Sequence, residues 1–505
     1  MDALHKTYMT RKKCHINIVP FKFDTPSPDD MVITGLKSSR NFRKSASMDP
    51  SASVQLDEVG GTSSNVPSSS QNITLKLQHL SLESKPKNSK PNIKKAASVS
   101  HYKPEPWMLQ SEDQEIRKQL SLGIVGHVDS GKSTLCGRLR HALGLISKKQ
   151  MHKYEKEAKE KDFVPNMISG ATQADAAILV VDASIGSFEA GMGVNGIGQT
   201  KEHSQLIRSF GVENLIVAVN KMDVVEYSKE RFQSIKSQLG TFLRSCGYKD
   251  SSVTWVPLSA MANENLVTAS SDSRLLSWYN GDCLLKAIDS LPPPHRDVSR
   301  PLCLPICDVI ASHTLGQVAV CGKIESGGIR TGSKVLVMPS GDIATVRAIE
   351  RDSSTCSLAR AGDNVAIGLH GIDPGHIVSG GVLCHPDFAV RIASHLELKI
   401  LVLEITMPIL VGLQFELHIH HARVSARLVK ILSSLDQKTG KALKKMPRLL
   451  TARQTAVVEV KLDKEVCVEE FSTLKALGRV FLRSQGNTVA VGIVTRILDQ
   501  AFDLA

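Results

Sequence analysis

Gly126-His127-Val128-Asp129-Ser130-Gly131-Lys132-Ser133-Thr134 has the spacing of a phosphate-binding loop. Phosphate is anionic, and a loop of this pattern turns successive backbone N–H groups toward it. Gly131 permits close approach, and the dipole of the helix that follows adds to the attraction. Lys132 has the reach for the β- and γ-phosphates, and Ser133 carries the hydroxyl that coordinates magnesium. The ligand class is a nucleoside di- or triphosphate with Mg2+.

A second motif selects the base. Asn220-Lys221-Met222-Asp223 directly follows the apolar run Leu215–Val219. The Asp223 carboxylate can accept two hydrogen bonds from the ring N–H and exocyclic amine that guanine presents together, a pair adenine lacks. Asn220 and Lys221 would steady the loop and cover the ring. One strand later, Ser259-Ala260-Met261 offers the Ala260 amide to the guanine oxygen. The three stretches, in this order, point to GTP or GDP.

The elements needed to position these residues are legible around them. Gln119–Val125 is a short apolar strand running into the loop, and a helix starts near Lys132. Further strands are expected at Ala177–Val181, Leu215–Val219 and Val253–Leu258, separated by amphipathic stretches such as Ser228–Cys246. This alternation predicts a parallel α/β sheet. Pro292, Pro293 and Pro294 end the helix that holds Leu284–Leu291 and open a linker. Beyond it come short β-rich runs with glycine punctuation: Gln317–Cys321, Lys334–Met338, Ala344–Ile349 and Asn364–Ile367. A second β block follows, with Phe415–His420, Thr455–Val460 and Val489–Ile497. The expected division is a tail over 1–115, a nucleotide domain over 116–297, and β-barrels over 298–388 and 389–505.

Composition fits several units. A chain of 505 residues is long enough for about three domains. Apolar residues are 42% but aromatics only 4%, because residues 1–115 are rich in Ser, Lys and Pro and read as disordered. The longest apolar stretch, Leu398–Leu413, is interrupted by Lys399 and Glu404, so no membrane span is expected. Ten scattered cysteines without a Cys-x-x-Cys pair signal neither zinc ribbon nor disulfide framework, and reduced cytosolic thiols are expected. The net charge of +12 suits an acidic partner or plain solubility. The loop holding Lys438, Lys441, Lys444, Lys445 and Arg448 reads either as an RNA-phosphate contact or as a solvated basic turn. His418, His420 and His421 read as a barrel strand rather than a metal site.

From about Lys103 onward the sequence resembles the translational GTPases related to elongation factor one alpha. The resemblance rests on the nucleotide motifs and on Met151–Ala158, Asp162–Asp175 and Phe415–His421. Within that group, the polar extension ending in Tyr102-Lys-Pro-Glu-Pro-Trp-Met-Leu109 looks most like the Hbs-type ribosome-rescue factors. The resemblance implies a cytoplasmic monomer with a GTPase domain and two barrels, working with the ribosome and a Pelota-type partner. A release-factor-three-like termination GTPase would read almost the same way. In relatives, tails of this kind can link to the RNA exosome and Ski complex. The segment Pro20–Asp30, with Phe21 and Phe23 on one side if extended, is a docking segment or an inert linker.

Against that family pattern, two parts are missing. Working members need a switch Thr and an Asp-x-Pro-Gly-His run. Here no Thr occurs between Leu135 and Ala171, and no Asp-x-x-Gly lies between the phosphate loop and Asn220. The break falls near 161/162 and reads as one internal deletion that removes two strands. It leaves the Val125 strand at the sheet edge with Ala177–Val181 as its neighbour. No catalytic residue can be named, and the expectation is nucleotide binding with impaired hydrolysis.

Overall fold

The computed structural model describes residues 102–109, 119–147, 168, 170–193, 198–294, 296–312, 316–352, 354–436, 439 and 441–499. The Pro20–Asp30 segment, the 161/162 junction and Lys438 lie outside the described residues. A single helical turn, α1 (Pro106–Leu109), precedes the first domain. That domain runs β1 (Leu122–Gly126), α2 (Lys132–Ala142), β2 (Ala176–Asp182), α3 (Ser187–Met192), α4 (Gln199–Ser209), β3 (Asn214–Asn220), α5 (Lys229–Ser245), β4 (Val253–Pro257), α6 (Ser273–Leu276) and α7 (Leu284–Asp289).

The four strands form a parallel sheet in the order β1-β2-β3-β4, in register Leu122↔Ala176, Ala176↔Asn214 and Leu215↔Val253. Every residue of β2 is buried, which is why it reads as an unbroken apolar run. Ile178 and Val180 face a core with Leu135, Leu139, Leu284 and Ile288. On the other face, Leu179 and Val181 pack with Phe188, Ile207, Phe232 and Leu239. As expected, β1 stands at the edge, with β2 its one strand partner among the described residues. The long helix α5 begins where Ser228 accepts the Arg231 N–H (3.2 Å), satisfying one of the free amides of the first turn. Its buried Phe232, Ile235, Leu239 and Leu243 fall on one face.

The second domain contains β5 (Cys303–Pro305), β6 (Asp308–Ser312), β7 (Gly316–Lys323), β8 (Gly328–Arg330), β9 (Lys334–Met338), β10 (Asp342–Arg351), β11 (Ser354–Cys356), β12 (Leu358–Arg360), β13 (Asn364–His370) and β14 (Val382–Cys384). Its antiparallel ladder is an open path, β5-β14-β9-β10-β13-β7-β6, with β11 against β10 and β8 paired to β12. Only Ile306 and Cys307 separate β5 from β6, so the sheet must curl until its two ends meet. A Cβ on Gly322 of β7 would lie 2.4 Å from the Pro305 carbonyl oxygen of β5, so no side chain fits where the ends approach.

In the third domain the ladder itself closes. It contains β15 (Ile392–Val402), β16 (Ile409–Leu410), β17 (Gln414–Ile419), β18 (Ala422–Leu435), β19 (Ala442–Lys445), β20 (Leu449–Leu450), β21 (Thr455–Cys467), β22 (Arg479–Ser484) and β23 (Asn487–Ile497). The order β17-β22-β23-β15-β21-β18 returns to β17, giving a six-stranded barrel around Leu398, Ile400, Leu417, Leu428, Val458 and Val460. Alternate residues of β15 and β18 point inward, the period of a strand with one face in a core.

Two junctions tie the first domain to the others. Asp175, just before β2, accepts from Lys323 Nζ (2.7 Å) and from both terminal nitrogens of Arg296 (3.1 and 3.0 Å). On the other side, Phe210 stacks on Phe481 with ring centroids 4.2 Å apart, in a cluster with Leu206, Leu403 and Val491.

The reading of 1–115 as wholly disordered is corrected for Tyr102–Leu109. Arg360 donates to the Trp107 carbonyl (2.7 Å), and the Arg330 guanidinium lies 5.7 Å from the Trp107 ring. Tyr102 packs edge-on against Phe388, and Met108 is buried. Aromatic burial and cation–π contact hold a segment whose own sequence has no strand or helix period. Among the described residues, no helix is long and apolar enough to cross a membrane. Ala442–Lys445 of the basic loop forms the exposed strand β19. His418 is buried in strand β17 with Glu416 Oε2 3.1 Å from its Nε2. No cluster of metal-binding type occurs among the described residues.

Candidate nucleotide site

At the end of β1 the chain leaves the sheet through three positive-φ positions: Gly126 (149°), Asp129 (59°) and Gly131 (92°). A Cβ on Gly126 would lie 2.2 Å from the Val180 oxygen, and one on Gly131 would lie 2.4 Å from Asn220 Nδ2. Both glycines are therefore required by contact as well as by φ. Gly131 caps α2, whose first residues are Lys132, Ser133 and Thr134, so the loop and the helix N-terminus are continuous. Lys132 Nζ donates to the His127 carbonyl (2.8 Å), and Ser130 N–H donates to the same oxygen (3.2 Å). The Ser133 hydroxyl is on an exposed residue. Ser130 Oγ is fully buried and has no hydrogen-bond partner among the described residues.

The guanine-side stretches meet this loop through one residue. Asn220, at the end of β3 and 2% exposed, donates from Nδ2 to the Ser130 carbonyl (2.9 Å) and accepts the Ala260 N–H at Oδ1 (2.9 Å). The sequence reading reserved the Ala260 amide for guanine; the structure gives it to Asn220 instead. Ser259 Oγ accepts the Ala262 N–H (3.2 Å), and Met261 stands exposed beside them. Lys221 sits at φ 61° and its Nζ donates to Asp182 Oδ2 (2.7 Å). Burial pushes the Asp182 carboxyl up, but hydrogen bonds from Lys221 and Ser184 outweigh it and hold the group below its ordinary value. Asp223 projects exposed from the turn Met222–Val225; its carbonyl accepts the Glu226 N–H (3.3 Å), its carboxylate bonds to no described residue, and Met222 is buried beneath it.

Two contacts were not foreseen from the sequence. Gln199 Oε1 accepts the Val128 N–H (3.1 Å), and His203 Nδ1 accepts the Gly126 N–H (3.2 Å). Their signal in the sequence was no more than an i, i+4 spacing at the start of a helix. Burial, with Lys132 nearby, pushes the His203 imidazole down to about 4, so it is neutral and carries its proton on Nε2.

The cradle fits a nucleotide diphosphate. Its glycines have no room for side chains, its serine hydroxyls are not used up by the protein, and its lysine is already folded over the loop. A parallel α/β domain with such a loop, coupled through Asn220 to a guanine-type motif and followed by two antiparallel β domains, defines the class of translational GTPases.

Known families agree. The chain matches the family models "Elongation factor Tu GTP binding domain" over residues 117–161 and 160–294, "Elongation factor Tu domain 2" over 317–384, and "GTP-eEF1A C-terminal domain-like" over 395–495. It is 36% identical to Elongation factor 1-alpha of Staphylothermus marinus over 430 residues, covering 75% of this chain and 97% of that protein. It is 33% identical to Protein HBS1 of Drosophila melanogaster over 438 residues, covering 77% of this chain and 65% of that protein. The crystal structure of the S. cerevisiae Ski7 GTPase-like domain, bound to GDP and inorganic phosphate, shares the fold at TM-score 0.57 and 17% identity, covering 74% of this chain and 97% of that one. The chain belongs to the elongation factor 1-alpha/elongation factor Tu family of translational GTPases.

Proposed function

We propose that the chain is a guanine-nucleotide-binding factor of the ribosome-rescue and mRNA-surveillance type, acting with a Pelota-type partner, in which nucleotide binding is kept and GTP hydrolysis is impaired. Gly126–Thr134 would cradle the phosphates and Asn220–Asp223 would read guanine beside Ser259–Met261. Magnesium, held by Ser133, would offset charge on the β- and γ-phosphates. The carrying observation is that Asn220 braces the phosphate loop to the base-side loop while the sequence between Leu135 and Asn220 lacks the switch Thr and the Asp-x-Pro-Gly-His run. Support for the rescue class comes from the 33% identity to Protein HBS1. The two-segment match, with its break at 160–161, supports an internal deletion there.

GTP turnover by the purified chain, with and without ribosomes and Pelota, tests this reading. Labelled GDP should bind while turnover stays at background; turnover at the rate of an intact relative refutes it. Peptide coverage across Lys161–Asp162 in protein from the native source tests the deletion. A second reading, an adaptor linking the RNA exosome and Ski complex, is favoured by the same loss of turnover parts, since a scaffold does not need them. Capture of exosome or Ski subunits by residues 1–115 alone would support it.

A further inference from the structure

The phosphate loop is gripped from two sides, and only one of them belongs to the motifs. On the inner side, Lys132 and Asn220 donate to the carbonyls of His127 and Ser130 (2.8 and 2.9 Å). On the outer side, α4 offers two acceptors from adjacent turns: Gln199 Oε1 to the Val128 N–H and His203 Nδ1 to the Gly126 N–H. Residues four apart lie on one helix face, so one helix presents both groups at once. The amides they meet are two apart at the point where β1 turns into the loop.

Such restraint has a physical purpose. Positive φ at Asp129 costs a non-glycine residue about 1 kcal/mol or more, and Gly126 and Gly131 add freedom that an unrestrained loop would use. A loop held open in one shape loses less entropy when a ligand arrives. The helix itself is fixed further along its length. Thr488 Oγ1 donates to Glu202 Oε1 (3.0 Å), Arg483 Nη1 lies 3.9 Å from that oxygen, and Leu206 and Phe210 pack into the cluster with Phe481 and Val491. His203 is buried, and its Nε2 has no partner among the described residues, so its position is set by the single bond to Gly126 and by packing.

We propose that Gln199 and His203 are positioning residues for nucleotide binding: from α4 they hold the phosphate loop in the shape that receives the diphosphate. Neither touches the base, and neither donates to a phosphate. Their effect is on how long the loop keeps its shape around the ligand. The inference rests on the guanine-nucleotide reading given above.

The test is release of fluorescently labelled GDP from the full chain, chased with unlabelled GDP, for the unmodified protein and for Gln199→Ala, His203→Ala, His203→Asn and Gln199→Glu. Losing one such bond should speed release by on the order of tenfold in each alanine variant. Asn places a carbonyl oxygen near the position of Nδ1, so His203→Asn should restore slow release. Gln199→Glu keeps the acceptor for Val128 but sets a negative charge beside the phosphates, so release should quicken although urea unfolding is unchanged. A purely structural role would make release track the urea midpoint, with no rescue by Asn and no effect of Glu; that pattern overturns the proposal. Unchanged release in both alanine variants overturns it as well. If the unmodified chain does not bind labelled GDP, the nucleotide reading fails and this inference with it, a result distinct from the other two.

Discussion

Replacing Asn220 by alanine removes one side chain and two hydrogen bonds that join loops distant in sequence. Nδ2 to the Ser130 carbonyl and the Ala260 N–H to Oδ1 are both 2.9 Å, and the residue is 2% exposed. Each bond contributes about 1 kcal/mol net, and a buried group left without a partner costs about 1–3 kcal/mol. Two groups, one carbonyl and one amide, are left behind, so the first domain should lose about 3 kcal/mol. Trp255 and Trp278 pack against the core of that domain, so tryptophan fluorescence during urea unfolding reports it. GDP binding should weaken in parallel, because the phosphate loop loses its inner brace. A loss below about 1 kcal/mol, the value of a single hydrogen bond, together with unchanged GDP affinity, would refute the assignment of Asn220 as the coupling residue.

Asp175→Asn should uncouple the first domain from the second: Lys323 and Arg296 lose their carboxylate in a partly buried junction, at a cost of about 3 kcal/mol, and a single thermal transition should split into two. The Asp175 carboxyl is pushed up by burial but held below its ordinary value by Lys323 and Arg296. Its stabilisation is therefore complete above about pH 4 and is lost only as pH falls through the folded value. The buried histidines act in a higher window. Burial pushes His203 and His420 each down to about 4, against about 6.5 unfolded. Stability present above pH 6.5 is lost as pH falls toward 4, by about 2 kcal/mol per histidine at pH 5. Glu325, raised by burial, works in the opposite sense. Urea midpoints at pH 7.5 and 5.0 should differ accordingly and the difference should shrink in His420→Gln; equal midpoints would contradict it. Trp107→Ala should release Tyr102–Leu109 from the second domain, read as faster hydrogen exchange at the Met108 amide, which bonds to the Glu105 carbonyl (2.9 Å); unchanged exchange would show that the ring does not hold the segment.

The phosphate loop and the strand before it were legible because their determinants are local: a short apolar run, glycines at positive φ, and a helix start within a dozen residues. The unbroken apolar run of β2 was legible for a related reason, since a strand buried on both faces has no polar position to disguise it. So was α5, whose capping Ser228 and apolar stripe lie on the helix itself. That no Thr lies between Leu135 and Ala171 and no Asp-x-x-Gly between the phosphate loop and Asn220 was also a property of sequence alone, and the edge position of β1 was expected from it.

Tertiary structure decided which residues the site shares. Asn220 reaches a carbonyl 90 residues away and an amide 40 residues away, and it takes the Ala260 N–H that sequence order had offered to guanine. Gln199 and His203 meet amides 71 and 77 residues before them. Tyr102–Leu109 looked like tail because order there is supplied by Arg360 and Arg330, more than two hundred residues on. Closure of the third domain depends on β17 finding both β18 and β22. Propensity and period act over a few residues, whereas these contacts exist only once the sheet and barrels have brought distant segments within hydrogen-bonding distance.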